Sequence, residues 1–154
     1  AKLTPQEFKI KNETETALNT LRDSYSDLMK VKALNPNTYD TSIPDMLEYK
    51  VKSAAGSTDP RVVNTGELSN LLRQGALSTA ATTLKTQISD SDIKMLQGLQ
   101  GLDSKSKEER GRIVENARQR LLAAYKLKKA QLAEINAGRA RIATPQAAFP
   151  ETLE

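Results

Sequence analysis

The stretch from Ser104 to Ile142 contains no proline, and its apolar residues recur at helical spacing. A run of that kind is satisfied by one long helix rather than by short strands. It carries eleven Lys or Arg against four Glu, a local balance of +7 in a chain whose total is +4. Ser106 and Glu109 supply a capping box at its start, and Glu108 with Glu109 places negative charge where the helix dipole favours it. Ile113, Ala117, Leu121, Ala124 and Ile135 fall near one stripe, interrupted at Lys128 and Gln131. The spacing predicts a helix over residues 107–142, reaching up to ~54 Å at ~1.5 Å per residue.

Other start signals divide the rest of the chain. Thr4 can cap, Pro5 falls at the first helical position, and Glu7 stands three residues after the cap. They predict a helix from Pro5 to about Leu34 with a broken stripe of Phe8, Leu18, Leu21, Tyr25, Leu28 and Met29. Asn35-Pro36 ends it. Residues 35–63 are punctuated by Pro36, Pro44, Gly56 and Pro60 and read as a linker, with a short helix from Pro44 to Ala55 and any hinge of the molecule. Asn64 and Glu67 suggest the next capping box. It opens a narrow seam of Leu68, Leu71, Leu72, Ala76, Ala80 and Leu84, extending toward Ile88, with a break near 75–79. Ser89 and Asp92 mark another start, with Ile88 and Ile93 placed as a hydrophobic staple. The organisation expected is an N-terminal helix (1–34), a linker (35–63), a helical segment ending in the long basic helix (64–142) and a mobile tail (143–154).

The fold class predicted is all-α: an extended helical hairpin or bundle with one long basic C-terminal helix, oligomeric. Hydrophobic residues make up 38% of the chain and aromatics 4%, with no Trp, which suits narrow seams better than a thick core. The expectation is that the chain does not close one compact globule alone, and that Leu121 lies in the middle of a seam shared with other copies.

No reaction is legible. The chain has no Cys and no His, so thiol chemistry, the commonest general base and the commonest metal ligand are missing. Asp90, Asp92 and Asp103 suggest a calcium loop only superficially, because Lys94 and Met95 stand where a ligand and a glycine are needed. Gly98 and Gly101 match neither a dinucleotide fingerprint nor a P-loop. The expectation is a non-enzyme without catalytic, cofactor-binding or metal-binding residues, without a cofactor and without a small-molecule substrate. No apolar run approaches the ~18–20 residues of a membrane span, and no signal peptide is expected. The sequence pI is about 9.3. The basic residues Arg110, Arg112, Arg118, Arg120, Lys126, Lys128, Lys129, Arg139 and Arg141 are too scattered for one strip. Three roles fit them: a solvated face whose stems cover the seam, contact with an acidic protein surface, and non-specific DNA contact. The partner-facing candidates are Leu121, Arg112, Arg118 and Lys128. Phe149 and Leu153 join them as anchors of a tail whose only charges are Glu151 and Glu154.

From Ile88 onward one pattern stands out: Ile88-Ser89-Asp90-Ser91-Asp92-Ile93-Lys94-x-Leu96, then Gly101-Leu102-Asp103-Ser104, then a helix with Ala117, Leu121 and Tyr125. It resembles a segment of the internal, DNA-ejection proteins of tailed phages, particularly short-tailed ones, over about residues 66–142. In that family the segment often sits inside a much larger chain. The resemblance implies a protein packaged in the virion, made in the host cytoplasm and released with the genome. It implies partners among the larger ejection proteins, a homo-oligomer, and a helical tube across the host envelope. It supplies no catalytic residues. The alternatives from other classes are a nucleic-acid-binding accessory protein using the basic helix and a small coiled-coil adaptor or scaffold.

Overall fold

The computed structural model describes residues 3–137, and these form helices with no strand among them. Helix α1 spans Pro5–Leu34. The Thr4 hydroxyl accepts from the Glu7 amide at 3.1 Å and the Glu7 carboxylate accepts from the Thr4 amide at 2.9 Å, so the predicted capping box is closed. A 3-10 turn, Asn35–Asn37, follows where Pro36 stops the α-helix. Helix α2 spans Ile43–Ala54, one residue from the predicted range. Gly56, at φ 72°, turns the chain out of it in the left-handed region that glycine adopts without strain.

Helix α3 spans Pro60–Gln74 and corrects the expected start at Asn64. The Asp59 carboxylate accepts from the Arg61 amide at 2.9 Å and Pro60 occupies the first turn, so Asn64 lies inside the helix. This is the Thr4-Pro5 signature again, and the linker is shorter than predicted by that first turn. Helix α4 spans Ala76–Thr83, α5 spans Asp90–Gly98, a second 3-10 turn covers Leu99–Ser104, and α6 spans Lys107–Asn136. Ser89 and Ser106 cap α5 and α6, accepting from the amides of Asp92 and Glu109. The predicted extension of α6 to residue 142 and the tail anchors Phe149 and Leu153 lie outside the described residues.

The break between α3 and α4 falls at Gly75, inside the predicted window. An α1 side chain explains why a glycine stands there. Asp27 Oδ2 accepts from the Ala76 amide at 2.8 Å, capping α4 from across the core. A Cβ on residue 75 would lie 2.5 Å from that oxygen.

The packing is the all-α bundle that the spacing predicts, closed within one chain. One cluster of buried side chains runs through α1, α3, α4, α5, the second 3-10 turn and α6. Leu21 and Leu28 from α1 meet Leu68, Leu72, Leu77, Leu84, Leu96, Leu99 and Leu102, with Val114, Ala117, Leu121 and Ala124 from α6 closing the other side. The narrow stripes are buried within one chain, where five α-helices and the second 3-10 turn pack against each other. Short side chains make this feasible, because Ala17, Ser24, Ala117 and Ala124 are buried without holding the helices apart.

The largest packed pair is α1 with α6. Late α1 meets early α6, so the two thirty-residue helices are antiparallel: Lys32 pairs with Glu115 at 3.4 Å, and the Asn35 side-chain Nδ2 donates to the Lys107 carbonyl at 3.0 Å. Arg110 pins this end. It is 2% exposed. Its Nε donates to Asn35 Oδ1 at 2.8 Å, one terminal nitrogen to the Lys105 carbonyl at 2.6 Å, and the other to Thr38 Oγ1 and the Tyr39 carbonyl at 3.0 and 3.2 Å. Burial pulls its guanidinium below the ordinary value, with the Asp40 and Asp103 carboxylates opposing that. Asp40 adds a second tie, accepting from the Lys107 amide at 3.1 Å at the start of α6.

Arg110→Met should destabilise the fold by about 3 kcal/mol, because it leaves buried acceptors without donors. Arg110→Lys should recover little, since one ammonium cannot reach acceptors arranged for a planar fork. Ser24 Oγ is buried with no hydrogen-bond partner. Ser24→Ala should therefore raise stability by about 1 kcal/mol. Urea unfolding of the three variants checks these outcomes, with the midpoint moving and the slope unchanged.

Candidate functional site

Helix α2 is amphipathic in the opposite sense to the others. Asp45, Tyr49 and Lys52 fall on one side of a 3.6-residue helix; Ile43, Leu47 and Val51 fall on the other. The polar side faces the body of the protein. Asp45 Oδ2 accepts from the Asp40 amide at 2.9 Å and pairs with Arg61 at 3.3 Å. Lys52 pairs with Asp59 at 2.9 Å and with Glu48 at 3.5 Å. The Tyr39 hydroxyl donates to Glu48, while the Arg61 guanidinium lies 4.0 Å over the Tyr39 ring. Beneath α2 lies a cleft of about 450 Å³ whose walls include Asp40, Tyr49, Asn70 and the Arg73–Asp103 ion pair.

The apolar side therefore points to solvent. Ile43 is 84% exposed, and Leu47 and Val51 are each 62% exposed. Met46 flanks them and is also exposed, and α2 has no buried residue. A soluble surface normally carries such side chains singly. Three at i, i+4 and i+8 on one short helix form the pattern with which helices meet partners.

The residues that sequence reasoning singled out lie elsewhere, and the structure does not bring them together. Leu121 is 1% exposed and belongs to the chain's own core, so it offers no surface to a second copy. Lys128 is 6% exposed; its ammonium donates to Gln87 Oε1 at 3.1 Å, and burial lowers its pKa. Arg118 is partly buried and forms a paired contact with Glu115, at 3.0 and 2.7 Å. That contact, with Lys32 second, holds the Glu115 carboxyl down at about 2. Arg112 is exposed. Arg120 reaches across to the buried Asp92 at 2.6 Å, tying mid-α6 to the start of α5. Asp92, which also accepts from the Ser89 hydroxyl, is thus a structural anchor, and Asp103 pairs separately with Arg73. Among the described residues no group of three or more acidic, His or Cys side chains is placed to hold a metal, and no helix is long and apolar enough to cross a membrane.

Sequence reasoning places a short helix at Pro44 to Ala55 and misses the direction of its apolar side. A signal was present: Tyr49 and Lys52, one turn apart, share the side opposite Leu47. Comparison with protein-family models, curated proteins and solved structures finds no match to this chain.

The ionic latch has a pH sense. Glu48 is held below the usual carboxylate range, first by the Tyr39 hydroxyl and then by Lys52 and Arg61; Asp59 is held down first by Lys52. A depressed folded pKa means the latch is fully made above the ordinary carboxylate value, ~4, and is lost as pH falls through the lowered values. Amide exchange, corrected for its intrinsic pH dependence, should show residues 43–54 losing protection by pH 3 while α6 keeps its own. Equal protection of α2 at pH 7 and pH 3 would contradict the latch.

Proposed function

We propose that this chain is a non-catalytic assembly protein that docks through the outward apolar side of α2. The single observation that carries the docking reading is the direction of that helix. Its polar residues are hydrogen-bonded and ion-paired to the body, and its apolar residues are left for a partner. Burying an apolar side chain of this size is worth about 1.5–3 kcal/mol, so three of them are a substantial drive to associate.

The setting we propose is a tailed-phage virion, with the chain a component of the genome-ejection apparatus. That assignment rests on the resemblance of residues 66–142 and their pattern from Ile88 to Tyr125. The chain would be made in the host cytoplasm, packaged, and carried with larger ejection proteins toward the host envelope. The helices of the fold suit a tube component or a part that decorates one. The nucleic-acid reading draws less support from the geometry. Arg110 and Lys128 turn inward, and Arg118 and Arg120 are engaged with Glu115 and Asp92, so the basic helix presents fewer free cations than its composition suggests.

Mass spectrometry of purified particles tests the setting: the chain should be present at a fixed copy number. Its absence from particles would overturn the virion assignment. Leu47→Asp tests the docking. The side chain is exposed, so the variant should fold with an unchanged melting temperature and fail to be incorporated. A variant incorporated at the wild-type copy number would remove α2 from the interface.

A further inference from the structure

We infer that the partner on the α2 face is a second copy of this chain, with the two α2 helices antiparallel about a two-fold axis at Leu47. This rests on the docking reading above and names its occupant. The first support is the symmetry of the stripe. Leu47 lies four residues from Ile43 and four from Val51. A two-fold at Leu47 therefore sets Leu47 on its own counterpart and Ile43 on the copy's Val51, twice. This is the self-complementary condition of an isologous interface. The pairs are similar in size, and both ends of the stripe are β-branched.

The second support is the helix dipole. Asp45, Glu48 and Lys52 are engaged with the body on the other side of α2, so charge on the paired side comes from Lys50 alone. Antiparallel pairing opposes the two helix dipoles, whereas parallel pairing would align like ends. Lys50 is exposed and borders the apolar stripe, so its aliphatic stem extends the covered surface while its ammonium stays wet.

The third is area. Ile43, Met46, Leu47 and Val51 offer roughly 500 Å² per copy, or about 1,000 Å² over the pair, the lower edge of specific interfaces. An interface of that size is weak when isolated and becomes firm when many copies are held close. That behaviour suits a chain that is a folded monomer when dilute and joins an assembly at high local concentration.

The chain has no cysteine, so single-cysteine variants report cleanly. Four exposed positions serve: Ile43→Cys, Leu47→Cys, Val51→Cys, and Lys85→Cys as a control away from α2. With a short bis-maleimide at about 50 µM protein, Leu47→Cys should give covalent dimer at least ten times faster than Lys85→Cys. An equal mixture of Ile43→Cys and Val51→Cys should yield chiefly the mixed dimer. Dimer from Leu47→Cys no faster than from the control would overturn the second copy as occupant. Ile43→Cys coupling to itself in preference to Val51→Cys would overturn the antiparallel arrangement. The docking reading fails separately: if Leu47→Asp is excluded from particles while Leu47→Cys does not couple, α2 docks and its partner is not a second copy.

Discussion

Two thirty-residue helices lie antiparallel, and one buried guanidinium fixes where one sits along the other. Arg110 joins the start of α6 to the end of α1 and to the chain that leaves it. Four hydrogen bonds to Asn35, Thr38, Tyr39 and Lys105 replace the water it has lost. A slide of α6 by one turn would place that charge in an apolar interior without acceptors, which costs several kcal/mol. The register so set puts Val114, Ala117, Leu121 and Ala124 into the cluster that α3, α4 and α5 complete. It also fixes Tyr39 and Asp40, from which α2 is hung.

That hanging is what separates the core from the outer surface. α2 meets the body through carboxylates, two cations and a phenol rather than through leucines. Exposed ion pairs hold position with little energy. Position is what matters here: the latch orients the helix, and the orientation leaves Ile43, Leu47 and Val51 unburied. A helix held by its apolar side would have thickened the core and left nothing to offer.

The helix starts were legible because their signal is local. Thr4-Pro5 with Glu7, Ser89 with Asp92, and Ser106 with Glu109 act over three residues, and each is a start in the structure. Asp59-Pro60 has the same form, but in a stretch dense with proline its start signal is hard to tell from loop punctuation. What the sequence hides is direction and distance. The stripe through Leu121 says that one side of α6 is buried; it does not say whether the cover is another chain or α1. Arg110 reads as one more cation in a basic run because Asn35 lies 75 residues away. The apolar residues of α2 were visible, but their exposure depends on where Asp40, Asp59 and Arg61 sit, and periodicity carries none of that.

One chain closes its own core and keeps α2 outside it. A dilution series of thermal unfolding, followed by far-UV circular dichroism, tests this most directly. A self-contained core keeps full helix content down to nanomolar protein, with a melting temperature that ceases to depend on concentration once any α2 pairing has dissociated. Helix content that falls on dilution, or a melting temperature that keeps dropping with every tenfold decrease in protein, would mean that the stripes of α1 and α6 need other copies to be buried.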